Sequence, residues 1–255
     1  MTLRRNFWMV AVLAMLVGGN NLWAQRYHWE WSPRSPRVMP RTFVGVEGAI
    51  GSALHRTTLP YVEDLITCCT FADGTGTPLR FAVIAERWVA PQTAVTAGLG
   101  YSQTSGVFTA ATQGFPTVEY GTVETAYDLE TSFRYLHLQG GVRQRLFGSM
   151  ASIGLDLRAM VRVAAEYTLT ERVVSPDDYR FADGSSSIAI DQQVLYSSSS
   201  VLLEPSLLFQ YDLPLQLGFV ISPMVSVQMP LWSVSATHPW TYLQASAGVR
   251  IVRGL

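Results

Sequence analysis

A long alternation of side chains over residues 151–169 limits what this chain can fold into more than any other feature. A period of two is that of a β-strand with two different faces. Soluble strands usually have about 5–6 residues, whereas a strand that crosses a membrane at a tilt needs about 9–11. One face here carries Ala151, Ile153, Leu155, Leu157, Ala159, Val161, Val163, Ala165, Tyr167 and Leu169, and the other carries Asp156, Arg158, Arg162 and Glu166. The pattern therefore favours a transmembrane β-strand.

Seven further segments repeat this alternation, which makes eight predicted strands. Most set aliphatic or aromatic residues on one face against Gly, Ser, Gln or charged residues on the other, whereas 79–89 is less regular, with Ala82 and Ile84 beside Glu86 on the second face. The eight predicted strands are residues 42–54, 79–89, 93–104, 132–147, 151–169, 199–211, 215–228 and 240–252.

The predicted connections alternate between short and long. Three are short (90–92, 148–150 and 212–214), and four are long (55–78, 105–131, 170–198 and 229–239). This asymmetry is typical of outer-membrane barrels, which have short periplasmic turns and longer external loops. Hydrocarbon cannot satisfy the backbone groups of an open sheet edge, so the strands must close on themselves. The sequence predicts an all-β fold, an eight-stranded antiparallel up-and-down transmembrane β-barrel with short periplasmic turns and four long external loops, in a bacterial outer membrane.

The alternation does not by itself decide which face points outward. A soluble lipocalin-like barrel also has eight strands, but it would place its apolar residues inside and its charges outside. This inverted arrangement remains open from the sequence.

The N-terminus has the layout of a secretory signal peptide. Arg4 and Arg5 precede an apolar stretch over 7–19, and cleavage is plausible after Ala24. The apolar stretch is too short for a spanning helix, which needs about 20 residues. We therefore predict a signal peptide over 1–24, an extended periplasmic lead-in over 25–41, which is rich in proline, and the barrel over 42–253.

If the charged faces point inward, they meet in a narrow lumen. An eight-stranded barrel is just wide enough for side chains to fill it, so the enclosed charges must pair. The predicted ion-pair network consists of Glu47, Glu86, His137, Arg143, Arg145, Asp156, Arg158, Arg162, Glu166, Glu204 and Arg250. We interpret this network as a plug of the lumen. The alternative is a functional lumen, a gated conduit or proton-sensitive centre that contains His137.

Aromatic residues and two prolines also carry predictions. The aromatic residues gather near predicted strand ends, as in the interfacial girdles of membrane barrels. They include Phe43, Trp88, Tyr101, Tyr135, Phe147, Tyr167, Phe209, Tyr211 and Trp240. Pro205 and Pro223 fall inside predicted strands, where proline removes a ladder hydrogen bond, and we predict local bulges there.

Few features point to binding chemistry. The formal net charge is −1, so there is no electrostatic footprint for nucleic acid. The adjacent cysteines Cys68 and Cys69 are candidates for a vicinal disulfide in an oxidising compartment. We identify no catalytic residues and no metal site, and we expect no cofactor. The loop residues Asp177, Asp178 and His238 would have to converge to support hydrolysis, and nothing in their spacing requires it.

Several segments resemble the PorT-like, or outer membrane protein β-barrel domain, family of Bacteroidetes-type bacteria. They are the signal ending WAQ, the opening strand FVGVEGAIGS, the first loop CCTFADGTG, and the hairpin YLHLQGGVRQRLF followed by ASIGLDLRAMVRV. The resemblance spans most of 42–253 and rests on pattern, so it transfers no functional residues. Leu255 departs from the aromatic C-terminus of many outer-membrane barrels. The resemblance implies a membrane barrel, and some members of the family serve protein secretion.

These observations favour a non-enzymatic barrel with a structural or interaction role, secretion-associated if the resemblance extends to function. Its expected partners are outer-membrane lipid, the barrel-insertion machinery and a periplasmic or surface protein. Two alternatives remain open. One is a barrel that transports small solutes or binds a ligand, and the less favoured one is an enzyme that processes lipids or peptides.

Overall fold

The computed structural model describes residues 41–255 except 64–65, 113, 119, 148, 195–197 and 216–217. The predicted signal peptide and nearly all of the predicted lead-in lie outside the described residues. The strands are β1 (Thr42–Glu63), β2 (Ile66–Gly76), β3 (Pro78–Ala90), β4 (Thr93–Ala111), β5 (Phe115–Thr117), β6 (Gly121–Arg145), β7 (Ala151–Ser175), β8 (Ser187–Val194), β9 (Val201–Tyr211), β10 (Leu213–Pro214), β11 (Phe219–Gln228) and β12 (Trp240–Gly254). The described residues contain no helix long and apolar enough to cross a membrane.

Eight of these strands form a closed antiparallel ring in the order β1, β3, β4, β6, β7, β9, β11, β12. The ring closes because β12 pairs with β1, from Phe43 opposite Gly254 to Thr57 opposite Trp240. Sequence neighbours in the ring are spatial neighbours, so the topology is up-and-down. The prediction of an eight-stranded antiparallel barrel is confirmed.

The two ends of the barrel differ. At one end, which we call the turn end, the short connections 91–92, 146–150 and 212–218 join β3 to β4, β6 to β7 and β9 to β11. The other end, the hairpin end, carries the long connections. Much of their length is itself β-structure, because β1 pairs with β2 as far as Glu63 and the β6–β7 ladder continues to Glu124 opposite Ser175. The predicted strands therefore stop too early at this end.

The apolar face of each ring strand points outward. In β7, Leu157 and Val161 are exposed whereas Arg158 is only 2% exposed. Outward apolar residues on the other strands include Val46, Ile50, Leu54, Phe81, Val83, Leu99, Leu136, Leu138, Leu207, Phe209, Val225, Val227, Leu243, Val249 and Ile251. This orientation excludes the inverted, lipocalin-like arrangement.

The apolar exterior forms a band of the height of a bilayer core. Its limits are Arg87 and Arg253 at the turn end and Arg56, Arg134 and Glu166 at the hairpin end. Between them, the described outward positions of the ring strands carry no charged side chain. On β1 the band runs from Val44 to Leu54, and ten steps of about 3.3 Å at a tilt near 40° give roughly 25 Å. A closed barrel with this exterior is of the outer-membrane type.

A bulge in β7 changes which residues face inward beyond it. Tyr135 lies opposite Arg162 and Arg134 opposite Ala164, so Val163 is an extra residue on β7. One inserted residue exchanges the two faces of everything that follows. The predicted lumen position of Glu166 is therefore wrong, since its side chain is 53% exposed and pairs with Arg134. In turn Ala165 and Leu169, predicted to face outward, are buried.

Neither internal proline produces a bulge. Pro205 lies opposite Leu157 and Pro223 opposite Val249 with no register shift, which corrects the prediction. Each proline occupies the first position beyond one end of the β9–β11 ladder, which runs from Ser206 to Gln210 on β9. The missing N–H interrupts the ladder without displacing the strand, and the carbonyl of Pro205 still accepts a hydrogen bond from the backbone N–H of Met229 at 3.4 Å.

Candidate functional site

The inward faces of the ring strands bring most of the predicted charged residues together inside the barrel. Glu47, Glu86, His137, Arg143, Arg158, Glu204 and Arg250 are each at most 4% exposed. Asp156, Arg145 and Arg162 are half-buried at inward positions. Glu166 lies apart from this group on the exterior. Two further members, Arg80 and Asp212, complete the set, which we call the lumen network.

Glu47 and Glu86 anchor the part of the lumen network nearer the turn end. Arg250 Nη2 lies 2.8 Å from Glu47 Oε2, and Arg250 Nη1 lies 3.6 Å from Glu86 Oε2. Arg143 Nη1 donates to Glu86 Oε2 at 2.7 Å, and its other terminal nitrogen contacts Asp212. These guanidinium groups each bridge two carboxylates, which is how charges taken out of water are best compensated.

The network continues toward the hairpin end through Arg80 and Arg158. Arg80 Nε lies 3.5 Å from Glu47 Oε1, and Arg80 and Arg158 both donate to the side-chain oxygen of Gln228. Arg158 Nη2 lies 2.7 Å from Glu204 Oε1. The result is a continuous chain of contacts that alternates in sign along most of the barrel and is joined by one neutral amide.

Gln228 links this chain to the remaining ring strands. Its side-chain nitrogen donates to Gln244 Oε1 at 2.8 Å, and Gln244 donates to Thr104 Oγ1 at 3.0 Å. Gln228 and Thr104 thereby connect the lumen network to β11 and β4, so side chains from all eight ring strands take part in these contacts. A narrow crevice lies here, lined by Arg80, Ser102, Arg158, Met160, Gln228 and Gln244.

A cluster of aromatic side chains closes the lumen toward the hairpin end. This aromatic cap comprises His55, Phe71, Phe108, Phe133, Trp240 and Tyr242, all at most 5% exposed. Phe108 and Phe133 each meet Trp240 edge-on with ring centroids 5.2 Å apart. Trp240 Nε1 donates to His55 Nδ1 at 3.2 Å, and His55 Nε2 lies 2.9 Å from the carbonyl oxygen of Ser105. The geometry fixes a neutral His55 with its proton on Nε2.

Tyr242 joins the aromatic cap to the lumen network by donating to Glu204 Oε2 at 2.8 Å. Hydrogen bonds to charged groups contribute more than neutral ones, so Tyr242→Phe is expected to cost about 2 kcal/mol of unfolding free energy. Tyr211→Phe is the matched control, because Tyr211 is 44% exposed on the exterior. Urea titrations in lipid vesicles measure both, and equal stability of the two variants would contradict the coupling.

His137 differs from its neighbours in the lumen. It is 1% exposed, and neither ring nitrogen has a hydrogen-bond partner among the described residues. The ring packs over Gly100, where an added Cβ would lie 2.7 Å from His137 Cε1 and 2.2 Å from the carbonyl oxygen of Phe81. His137 is thus held by packing, and Gly100 provides the space.

Sequence reasoning missed several of these residues. Arg80 shares the inward face with Ala82, Ile84 and Glu86, so its position followed from the predicted strand. Tyr135 and Trp240, predicted in the interfacial girdles, are each 1% exposed and lie inside. Tyr135 and His137 are two residues apart on β6 and therefore lie on the same face of the strand, which was the available signal for its inward position. Asp212 was assigned to a turn, and no local pattern marks it as a partner of Arg143.

The remaining candidate residues are not brought together. Asp177 and Asp178 follow β7 and are exposed, whereas His238 precedes β12, and no described hydrogen bond or ion pair joins them. Within the described parts of the chain, no group of three or more His, Cys, Asp and Glu side chains could hold a metal ion. Cys69 is half-buried in β2. The side chain of Cys68 lies outside the described residues, so the vicinal disulfide stays a prediction.

No protein-family model and no curated protein sequence matches the chain. Among solved structures, it is similar to Neisserial surface protein A, with 9% identity, a TM-score of 0.39 and coverage of 86% of this chain and 100% of the other. It is also similar to the outer membrane protease OmpT of Escherichia coli (8%, 0.39, 87% and 99%) and to the attachment invasion locus protein Ail of Yersinia pestis (15%, 0.32, 81% and 98%). Likenesses this distant transfer no residue role to this chain.

Proposed function

We propose that this protein is an integral outer-membrane barrel with a closed lumen, and that it acts through its outer surfaces in a structural or protein-interaction role. The observation that carries the proposal is the filling of the interior. Four buried arginines, Arg80, Arg143, Arg158 and Arg250, are matched by four buried carboxylates, Glu47, Glu86, Glu204 and Asp212. The aromatic cap lies above them, so a solute would have to displace paired charges as well as packed rings.

The hairpin end supports the interaction role. Two connections there, before β6 and after β7, meet through Phe115, Tyr120, Tyr179 and Phe181. Tyr179 contacts Tyr120 and Phe115 edge-on, with ring centroids 5.5 and 6.2 Å apart, and Phe115 and Tyr120 remain 38% exposed. Partly exposed aromatic residues are enriched at protein interfaces. At the turn end, a periplasmic partner would fit the secretion-associated role that the family resemblance implies.

Conductance in planar bilayers tests the closed lumen. We expect the wild-type protein to insert and to pass no resolvable current, because the lumen network and the aromatic cap leave no continuous path. Insertion is verified separately by heat-modifiable migration on gels, which reports a closed barrel. Discrete, ohmic current steps from inserted wild-type protein would overturn the proposal and favour solute transport. A hydrolytic activity lost in Asp177→Asn or His238→Ala would instead favour an enzyme.

A further inference from the structure

The exposed arginines at the turn end lack carboxylate partners. Arg41, Arg87 and Arg253 are exposed there, and none of them forms an ion pair within the described part of the chain. The acidic side chains described at this end are Glu86 and Asp212, which point inward and are 3% and 5% exposed. The outer surface of the turn end therefore carries two uncompensated positive side chains, Arg87 and Arg253.

At the hairpin end the partly or fully exposed arginines have internal partners. Arg56 Nε lies 3.6 Å from Asp73, Arg134 Nη2 lies 3.4 Å from Glu166, and Arg172 Nε lies 2.9 Å from Asp128. Arg180 donates to the backbone carbonyls of Asp177 and Tyr179. The contrast between the two ends shows that exposure alone does not leave an arginine unpaired in this protein.

The turn-end arginines stand at the edge of the apolar band. Arg87 lies opposite Thr42 and Arg253 opposite Val44, so the two flank β1 on its two sides. Two strand spacings and a two-residue offset place their Cα atoms about 12 Å apart. Toward the middle of the band, the outward neighbours are apolar, including Val44, Ala85 and Ile251. The edge of the apolar band, where Arg87 and Arg253 lie, is the depth at which a bilayer presents its phosphate groups.

A contact with an aromatic ring on the neighbouring strand β11 holds the side chain of Arg253 in place. Its guanidinium carbon lies 5.5 Å from the ring centroid of Phe219, the residue opposite it on β11. A cation over an aromatic face is attracted to the ring, which restricts the position of the guanidinium group. Guanidinium groups bind phosphate through paired hydrogen bonds and stay charged at any physiological pH.

We propose that Arg87 and Arg253 bind the phosphate groups of anionic phospholipids, of the phosphatidylglycerol type, in the leaflet at the turn end. This inference rests on the proposed membrane function. At the hairpin edge of the apolar band, Arg56 and Arg134 are already paired with Asp73 and Glu166, so binding is confined to one leaflet. The arginines would thereby fix the depth of the barrel as well as its orientation.

Native mass spectrometry of the protein in mixed detergent–lipid micelles tests the site by counting retained lipid molecules. The wild type is expected to retain phosphatidylglycerol in preference to phosphatidylcholine. Each arginine near a bilayer surface contributes roughly fivefold in affinity. The variant Arg87→Gln/Arg253→Gln should therefore lose about 25-fold, and the preference should weaken at high salt.

The matched control is Arg56→Gln/Arg172→Gln, which removes the same charge from paired arginines at the hairpin end and should keep the preference. Equal retention of the two lipids by the wild type, or equal losses in both variants, would overturn the inference. Reconstitution into pure phosphatidylcholine vesicles separates this outcome from a failure of the proposed function. A barrel that inserts without lipid preference contradicts only the headgroup site, whereas a protein that stays outside the vesicles contradicts the membrane assignment itself.

Discussion

Arg143→Ala is expected to lower the free energy of unfolding by about 3–5 kcal/mol, because two buried carboxylates lose their shortest cation contact and keep only the longer ones, to Arg250 and Arg145. Glu86 and Asp212 both contact this guanidinium, which also donates to Ser152 Oγ at 2.9 Å. The side chain of Arg143 is 3% exposed, so bulk water is not available to solvate the two carboxylates when the guanidinium group is removed. Removing one member of a buried charge network costs more unfolding free energy than the intact network contributes, because the remaining charges stay buried with fewer partners.

Urea unfolding and refolding in lipid vesicles, followed by tryptophan fluorescence and gel migration, measures this loss. The control Arg56→Ala removes an arginine whose side chain is 86% exposed, and it should change stability by less than about 1 kcal/mol. The triple variant Arg143→Met/Glu86→Gln/Asp212→Asn should recover much of the loss, since both buried carboxylates become neutral amides and Arg145, which loses Asp212, is 34% exposed. A cost of less than about 1 kcal/mol for Arg143→Ala would mean that the lumen is hydrated.

Leu138→Arg is expected to destabilise the protein in a bilayer by about 2–4 kcal/mol, the usual cost of a lipid-facing arginine near the midplane. Leu138 is 62% exposed and lies opposite Leu99, which is 64% exposed, near the middle of the apolar band. In water the same substitution of an exposed leucine would be almost neutral. The prediction therefore depends directly on lipid contact.

Val174→Arg is the matched control for Leu138→Arg. Val174 is 45% exposed on β7, but it lies beyond Glu166 and thus outside the band. We expect it to change stability by less than about 0.5 kcal/mol in the same vesicle titration. Equal effects of the two substitutions would show that the exterior of the barrel does not contact hydrocarbon.

The period-two pattern predicted the ring of strands and the inward or outward position of most residues, because hydrocarbon penalises every charged side chain within the band. It failed at Val163, where an inserted residue exchanges the two faces. The following residues, Ala164 and Ala165, are small enough for either face, so the sequence contains no local sign of the bulge. Beyond it, Glu166 satisfies its charge with Arg134 on the exterior.

The aromatic cap and the length of the hairpins were missed for different reasons. Tryptophan and tyrosine are suited both to a membrane interface and to a filled lumen. Only its place in the alternation, on the same face as His137, puts Tyr135 inside. Beyond the membrane both faces of a strand can be polar, so the alternation disappears while the backbone ladder continues. The β6–β7 hairpin continues in this way to Glu124 and Ser175.

The contact between Glu47 and Arg250 crosses the seam where the first and last ring strands meet, and the two residues lie directly opposite each other. A slip of two residues at this seam would keep all side chains on their proper faces, yet it would separate the pair by about 7 Å. Glu47 would then lose its shortest ion-pair contact and keep only the longer one to Arg80. The pair thus favours the correct register at the seam, which hydrophobic patterning alone cannot specify.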